Sequence, residues 1–371
     1  RSLARHDEVE RHYRAYVHRR RGGPRLTEAT FKLGEAVERQ ITGPADLPRL
    51  REAIRWYRRV TYRDPRSRWA REATKRIEAL GKRLPAPEQE AASVLSADEQ
   101  LERAQSYARS QRHKRAMREF AKVLELTDPD GALGCQARLG RGRAAFNARK
   151  RVLSAKILTE AAARCDEPDV RAWSLYFAGR SMSARGQDRG AARIYQSLEE
   201  EYPSHRLADD ARIRRAQALT RLGEDEAAAS LLREMPTAYP TGDMRCEGAW
   251  QLGWTTYRAG ELERALAIFR TAAGICEESG SEEGAHGREA YWAARVLERL
   301  GRRDEAAEGY ELVVRDSPLT YYMMMSLRRL QGLDRDRATV LRGELSASDD
   351  DGAGPWRFDP RSIKQRPALV R

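Results

Sequence analysis

The sequence lacks any long apolar run. A membrane-spanning helix needs roughly 20 consecutive apolar residues. Among the 371 residues of this chain, the longest candidate extends only from Leu319 to Leu327. The sequence therefore predicts no transmembrane segment. The 34% of charged residues instead suits helices with one buried stripe and one solvated face.

The chain also lacks the short motifs that mark enzymes and metal sites. It contains no His-Glu-x-x-His, no phosphate loop ending in Gly-Lys-Ser/Thr and no Gly-x-Ser-x-Gly. There is no Cys-x-x-Cys, and the six histidines are scattered without ligand spacing, so we interpret them as surface residues. We therefore expect no catalytic residue, no metal site and no small-molecule cofactor.

Positive charge is concentrated in the N-terminal quarter. Residues 1–85 hold 23 Lys and Arg against 11 Asp and Glu, whereas the remainder holds 46 against 45. This segment includes Arg19-Arg20-Arg21, and Arg55, Arg58 and Arg59 beside Trp56 and Tyr57. We interpret it as a solvated basic face. The alternative is an acidic partner such as anionic lipid headgroups or cell-wall peptides, and nucleic acid is the weaker candidate.

A pattern of small and aromatic residues recurs along the chain. Gly186, Gly223 and Gly260 are 37 residues apart, and Gly301 follows 41 residues later. Five residues after these glycines come Ala191, Ala228, Ala265 and Ala306, and nine residues after three of them come Tyr195, Phe269 and Tyr310. Seven residues before two of them come Gly179 and Gly253.

This pattern predicts a stack of helical hairpins. The middle glycine ends the first helix in a left-handed conformation, and the small residues lie where the two helices cross. The aromatic residue fills the gap toward the next hairpin. Pro203, Pro240 and Pro318, each 17 residues after a turn glycine, cannot continue the second helix. The fold class is therefore all-α, a solenoid of helical hairpins.

The repeat at 246–276 resembles the tetratricopeptide repeat. The matching residues are Leu252-Gly253, Tyr257, Gly260, Ala265, Phe269 and Ala272. Weaker repeats follow the same register at about 135–167, which contains Gly142, and at about 97–129 and 26–65. The resemblance implies a right-handed superhelix whose concave face, lined by first helices, suits extended peptides.

The four cysteines fall into two pairs in one register. Cys135 lies seven residues before Gly142, and Cys246 lies seven before Gly253, while Cys165 and Cys276 each follow their partner by 30 residues. Residues equidistant from the turn of an antiparallel pair face each other, so each pair meets at the open end of its hairpin. We predict disulfides Cys135–Cys165 and Cys246–Cys276, and hence a bacterial periplasmic location. Four buried thiols are the alternative.

Composition divides the chain into six segments. Leu84 to Ser96 is rich in Pro, Ala and Glu, and the helical period fades after residue 330. We predict a basic N-terminal segment (1–25), an N-terminal helical region (26–83), a linker (84–96), a repeat array (97–317), a capping helix (318–335) and an irregular C-terminal linker (336–371).

The segment after the last repeat resembles one that follows the superhelix of soluble lytic murein transglycosylases. The matching residues are Pro318, Tyr321, Tyr322, Arg329 and Leu330. In that family a catalytic domain, carrying a Glu-Ser pair after an apolar run, cleaves peptidoglycan. The only Glu-Ser pair here, Glu278-Ser279, lies in a polar loop without that run, and we reject it. The resemblance implies that this chain is the non-catalytic superhelix, with the catalytic domain beyond residue 371.

Two functions therefore remain open. The first is the superhelix of a periplasmic lytic transglycosylase that binds and positions peptidoglycan. The alternative is a non-enzymatic scaffold for envelope proteins or peptides. Candidate groove residues are Arg180, Arg214, Arg215, Gln251 and Arg295. The pairs Trp250–Trp254 and Trp173–Phe177, each one helical turn apart, are interpreted as inter-repeat core, with a stacking platform for sugar or peptide as the alternative.

Overall fold

The computed structural model describes residues 2–20, 23, 25–43, 46–279 and 287–347. At the helix ends 2–5, 277–279 and 346–347 it describes the backbone only. The chain divides into two compact units, Arg1–Leu207 and Ala208–Arg371, and each unit is described by itself. The described residues are helical throughout, apart from short turns, and include no strand.

The first unit is a succession of helices, most of which pack against the next along the chain. They are α1 (Ser2–Arg19), α2 (Leu26–Glu38), α3 (Leu47–Arg63), α4 (Arg68–Gly81), α5 (Ala86–Ser93), α6 (Ala97–Arg109), α7 (His113–Leu126), α8 (Ala132–Asn147), α9 (Arg151–Arg164), α10 (Pro168–Ser183) and α11 (Asp188–Glu201). The first helices of successive hairpins, α6, α8 and α10, also touch one another.

The second unit continues the hairpin arrangement. Its helices are α12 (Ala208–Arg221), α13 (Asp225–Arg233), α14 (Met235–Ala238), α15 (Arg245–Arg258), α16 (Leu262–Ser279), α17 (Arg288–Arg299), α18 (Arg303–Asp316), α19 (Tyr321–Leu333) and α20 (Arg335–Ala347). Helices α15 and α16 form one hairpin, α17 and α18 the next, and α19 with α20 close the described part of the unit. The capping helix predicted at 318–335 corresponds to α19.

The turn glycines have the predicted backbone conformation. Gly186, Gly223, Gly260 and Gly301 have φ between 71° and 86°, so each ends a first helix in the left-handed region. In two upstream hairpins the same turn is made by other residues, Gln111 with φ 57° and Arg149 with φ 61°. The glycine pattern is therefore incomplete there, which is why the sequence shows those repeats more weakly.

In three hairpins a glycine of the first helix packs directly against a large side chain of the second helix. Added Cβ atoms would lie 2.6 Å from Tyr195 at Gly179, 2.6 Å from Phe269 at Gly253 and 2.5 Å from Leu158 at Gly142. The predicted packing residues are all buried, namely Gly142, Gly179, Ala191, Tyr195, Ala228, Gly253, Ala265, Phe269, Ala306 and Tyr310. Hence the repeat pattern in the sequence is a packing pattern.

Two segments that we expected to be irregular contain helices. Within the predicted linker, α5 begins after Pro85 and packs on α4, with Ala92 buried. This linker lies inside the first compact unit. The prediction of an irregular 336–371 is wrong for residues 336–347, because α20 buries Ala338 and Leu341 against the preceding hairpin. Residues 348–371 lie outside the described part.

No helix in the described part of the chain is both long and apolar enough to cross a bilayer.

Candidate binding surface

A row of aromatic rings lies along the first helices of two successive hairpins in the first unit. Trp173 and Phe177, one turn apart on α10, stack with centroids 5.6 Å apart and planes 21° apart. Phe146 of α8 meets Phe177 edge-on at 5.5 Å. The rings therefore run continuously from one first helix to the next.

Four guanidinium groups lie over these rings. Arg206 is 4.7 Å from the centroid of Trp173, and Arg143 is 5.0 Å from Trp173 and 5.1 Å from Phe177. Arg180 is 5.4 Å from Phe177 and 4.8 Å from Phe146, and Arg151 is 3.8 Å from Phe146. We call this set the arginine–aromatic ladder; its members are Arg143, Phe146, Arg151, Trp173, Phe177, Arg180 and Arg206.

The ladder concentrates positive charge without a carboxylate to balance it. Arg143 and Arg206 are exposed, and Arg151 and Arg180 are half-buried. In the described part of the chain none of the four forms an ion pair, and Arg151 donates a hydrogen bond to the Phe146 carbonyl. Stacking on a ring attracts a cation but leaves its charge in place.

The arginines repel one another. Burial, and then the nearby Arg206, lower the pKa of Arg143 below its ordinary value. Burial, followed by the charges of Arg180 and Arg149, likewise lowers the pKa of Arg151. Both guanidiniums stay protonated at neutral pH, because arginine titrates far above it. The ladder is accordingly a surface that favours a bound anion.

A cavity of about 410 Å³ adjoins the ladder on the face of α6 and α8. Its polar lining includes Arg109, His113, Gln136, Arg143 and Asn147. Arg143 therefore belongs to both the cavity and the ladder. The cavity extends the polar, cationic surface from α10 toward α6.

The second unit carries a different surface on its first helices, which we call the aromatic patch; its members are Trp250, Trp254, Tyr257 and Trp292. Trp250 and Trp254 of α15 stack at 5.9 Å, and Trp292 of α17 packs edge-on to Trp254 at 4.8 Å. Tyr257 packs edge-on to Trp292 at 5.3 Å. All four are half-buried, so each leaves part of its ring accessible.

Two arginines of α17 near the aromatic patch are paired with glutamates, whereas Arg299 lies 4.8 Å from the centroid of Tyr257 and forms no ion pair in the described part of the chain. Arg288 lies 4.3 Å from the centroid of Trp250, and it forms ion pairs with Glu247 at 3.2 Å and Glu289 at 2.8 Å. Arg295, also on α17, donates to Glu298 at 2.7 Å. Among the described residues, glutamates therefore balance the arginine over Trp250, and Arg299 over Tyr257 is unbalanced, whereas all four arginines of the ladder are unbalanced.

Comparison with known proteins identifies the fold that carries these surfaces. Residues 173–205 match the family model described as tetratricopeptide repeat. The C-terminal part of a TPR repeat-containing protein from Cytophaga hutchinsonii is 14% identical, with TM-score 0.53, and the match covers 74% of this chain and 99% of that one. The fold is a tetratricopeptide-like helical solenoid.

Two further solved structures match more loosely. PilF of Pseudomonas aeruginosa is 15% identical, with TM-score 0.43, over 62% of this chain and 95% of its own. YrrB, described as a TPR protein with an unusual peptide-binding site, is 15% identical, with TM-score 0.40, over 56% of this chain and 97% of its own. No curated protein sequence matches the chain.

The predicted groove residues have different environments in the tetratricopeptide-like fold. Arg180 belongs to the ladder. Gln251 donates to Glu247 at 2.8 Å, and Arg214 donates to Gln217 at 3.1 Å. Arg215 is half-buried, and Arg295 is paired as described above.

Sequence reasoning missed three arginines of the ladder, Arg143, Arg151 and Arg206. Arg143 could have been found, because it lies 37 residues before Arg180 and directly follows Gly142 as Arg180 follows Gly179. Arg151 and Arg206 lie outside the first helices, so the repeat register contains no signal for them.

The paired aromatics are only partly core. Phe177 is buried, but Trp173, Trp250 and Trp254 are half-buried on the first-helix surface. The predicted inter-repeat contact is real, since Trp254 packs on Trp292 of the next hairpin. The remaining exposed ring area is what makes these residues candidates for recognition.

The cysteines form the two disulfides that their register predicts, Cys135–Cys165 and Cys246–Cys276. Their Cα atoms are 5.7 Å and 4.8 Å apart. The sulfurs of Cys246 and Cys276 also lie near a carboxylate oxygen of Glu289. Thiolates are the form of cysteine that ligates metals, so the disulfide removes both sulfurs from any metal site there.

The segment resembling that of lytic transglycosylases begins the last described hairpin. Pro318 lies in the turn between α18 and α19, Leu330 is fully buried, and Arg329 lies 3.5 Å from Glu298. Tyr322 packs on Tyr291 at 5.4 Å, whereas Tyr321 is 62% exposed. Tyr322 and Leu330 therefore serve packing within the unit and Arg329 an ion pair, whereas Pro318 and Tyr321 are exposed.

Only part of the basic N-terminal region is paired within the protein. Arg58 forms an ion pair with Glu99, and Arg14 bridges Glu10 and Glu52. Tyr57 is fully buried rather than displayed beside the arginines. Arg21 and the side chains of Glu278 and Ser279 lie outside the described residues, whereas Arg55 is exposed.

Proposed function

We propose that this chain is a non-enzymatic scaffold that binds extended peptides or protein segments on its first-helix surfaces. The observation that supports this is the placement of the ladder and the aromatic patch. The rings of both lie on first helices, on surfaces that the second helices of the same hairpins leave accessible, and Arg151 and Arg206 reach the ladder from outside those helices. Tryptophan, tyrosine and arginine are the residues enriched where proteins bind one another.

The experiment is selection of peptides from a random library against the full chain, followed by affinity measurement from tryptophan fluorescence. Trp254→Leu should weaken peptides that bind the patch by about tenfold, because a half-buried indole contributes a large contact area. Trp69→Leu, in the N-terminal core, is the matched control and should leave the affinity unchanged. Recovery of no binding peptide would contradict the proposed function.

The location that fits this scaffold is the periplasm of a bacterial cell. Support comes from the two disulfides, since structural disulfides persist in oxidising compartments. Mass spectrometry of protein from its native host, alkylated without reduction, should yield crosslinked Cys135–Cys165 and Cys246–Cys276 peptides. Four alkylated thiols would overturn the periplasmic location and leave peptide binding untouched.

A narrower role is the superhelix of a lytic transglycosylase. Its support is the resemblance of Pro318, Tyr321, Tyr322, Arg329 and Leu330, and Tyr321 is the exposed aromatic residue among them. Purified peptidoglycan should then retain the chain in a sedimentation assay, and Tyr321→Ala should reduce retention. A chain that binds peptides but does not sediment with peptidoglycan would exclude this role and retain the broader one.

A further inference from the structure

The ladder lacks a carboxylate that the same repeat register supplies elsewhere. Arg143, Arg180 and Arg295 each directly follow the small residue at a helix crossing, Gly142, Gly179 and Ala294. Arg295 is paired with Glu298, three residues further along α17. The residues three further along from Arg143 and Arg180 are Phe146 and Ser183, and neither carries a negative charge that could pair with the arginine.

A second comparison leads to the same conclusion. Over Trp250, the guanidinium of Arg288 receives two carboxylates, those of Glu247 and Glu289. Over Trp173 lie two guanidiniums, those of Arg143 and Arg206, and neither has an acidic partner in the described part of the chain. Arg59 over Trp56 and Arg68 over Trp69 also lack an ion pair in the described part of the chain, but each lies on a separate ring. The ladder differs because four such guanidiniums lie over one continuous row of rings.

We propose that the arginine–aromatic ladder binds an acidic segment of a protein partner, whose Asp and Glu side chains pair with Arg143, Arg180, Arg151 and Arg206. This inference rests on the proposed function and names the chemical class of the ligand. A guanidinium presents a planar pair of N–H groups that matches a carboxylate bidentately. The rings hold the guanidiniums in place, so less side-chain entropy is lost on binding.

The ladder has dimensions that suit an extended peptide. Packed helices lie roughly 8–10 Å apart, and an extended chain rises about 3.3 Å per residue. Arg143 on α8 and Arg180 on α10 therefore correspond to peptide positions about three residues apart. The apolar faces of Trp173 and Phe177 lie between the charges and can contact the intervening side chains.

The probe is a fluorescein-labelled nonapeptide with Glu at positions one, four and seven, separated by Ala and Ser, and binding to the full chain is followed by anisotropy. The matched probe has Gln in place of each Glu. We expect the Glu peptide to bind about tenfold or more tightly than the Gln peptide, since hydrogen bonds to charged groups are the stronger class. Its affinity should fall as salt rises.

The variant Arg143→Gln/Arg180→Gln should weaken the Glu peptide about tenfold and leave the Gln peptide unchanged. Arg264→Gln is the control, because Arg264 is an exposed arginine paired with Glu261 outside the ladder. Circular dichroism of each variant should match the parent, and Arg143→Lys/Arg180→Lys, which keeps the charge, should restore part of the affinity.

Three results would overturn the inference. The first is equal affinity of the parent protein for the Glu and the Gln peptide. The second is an Arg143→Gln/Arg180→Gln variant that binds the Glu peptide with the affinity of the parent. Alternatively, a labelled single-stranded oligonucleotide or vesicles of anionic lipid would bind while the Glu peptide did not, which would make the ladder a phosphate site. If library peptides without acidic residues still bind at Trp254, the proposed scaffold function stands without the acidic-segment inference. If no peptide of any kind binds, both are rejected.

Discussion

At the scale of single residues, this protein uses glycine mainly for proximity between helices. Gly179 is buried in α10, and a Cβ there would lie 2.6 Å from the Tyr195 ring. Tyr195 itself is fully buried, so its ring has no free volume into which to move. The aromatic residue and the glycine are therefore one packing unit, although they lie on different helices.

Replacement of Gly179 by Ala should destabilise the chain. Overpacking of a filled core costs about 1–3 kcal/mol, and this exceeds the roughly 0.5–1 kcal/mol that Ala gains over Gly in a helix. Urea unfolding followed by circular dichroism measures the change. In the Gly179→Ala/Tyr195→Leu double variant the clash is relieved, so the two effects should not add. Strict additivity would show that the two side chains do not meet.

Glu298 should make a pH-dependent contribution to stability. Burial alone would raise its pKa, but hydrogen bonds from Tyr310 at 2.7 Å and from Arg295, together with the Arg329 charge, hold it below the ordinary value. A carboxyl group whose pKa is lowered on folding stabilises the protein above its unfolded pKa of about 4.3, and this stability is lost as pH falls through the folded value.

Glu298→Gln should therefore cost about 1 kcal/mol at pH 7, a value reduced because the side chain is 24% exposed. The difference in free energy of unfolding between Glu298→Gln and the parent should shrink below about pH 4. Glu263→Gln is the control, since Glu263 is exposed at the start of α16. A difference that stayed constant with pH would contradict the pairing.

At the scale of helices and turns, the sequence predicts hairpins well where glycine makes the turn. Gly186, Gly223, Gly260 and Gly301 all mark observed turns. Helix α20 was missed, because only Ala338 and Leu341 are fully buried and the acidic stretch after it suggested a loop. Helix α5 was missed because the composition of 84–96, rich in Pro, Ala and Glu, was interpreted as a linker, although proline is well tolerated at a helix start.

The binding surface was less predictable than the hairpins. Repeat spacing identifies which helix crosses which, and it placed Arg180 among the groove residues. It does not indicate that Arg206, which follows α11, lies over Trp173. That contact depends on the conformation of the loop that follows the α10–α11 hairpin, and the repeat period of the sequence does not predict it.

The α15–α16 hairpin offers a matched pair of glycines, one in its turn and one within its second helix. Gly260 has φ 86°, whereas Gly274 lies within α16 at an exposed position with nothing within 4 Å of an added Cβ. Gly260→Ala should destabilise the second unit by about 1–2 kcal/mol, because the left-handed region is unfavourable for a residue with a Cβ. Gly274→Ala should stabilise it by about 0.5–1 kcal/mol through helix propensity. Thermal unfolding that shifted both variants in one direction would contradict this assignment.

At the scale of the whole molecule, each compact unit contains its own disulfide. Cys135–Cys165 joins the ends of the α8–α9 hairpin in the first unit, and Cys246–Cys276 joins α15 to α16 in the second. Repeat proteins are stabilised by contacts between neighbouring hairpins, so a disulfide within one hairpin stabilises mainly the repeats around it. Each disulfide is thus expected to protect one unit more than the other.

The double variant Cys246→Ser/Cys276→Ser should lower the stability of the second unit by roughly 3–4 kcal/mol, the chain-entropy value for a closed loop of this size. Limited proteolysis should then cut first within Ala208–Arg371, while Arg1–Leu207 resists as in the parent. Cys135→Ser/Cys165→Ser should reverse the order and, because α8 and α9 carry Arg143 and Arg151, should also weaken binding of an acidic peptide. If either variant accelerated cleavage equally in both units, each disulfide would stabilise the whole chain, which would then unfold cooperatively. The assignment of one disulfide to one unit would be wrong.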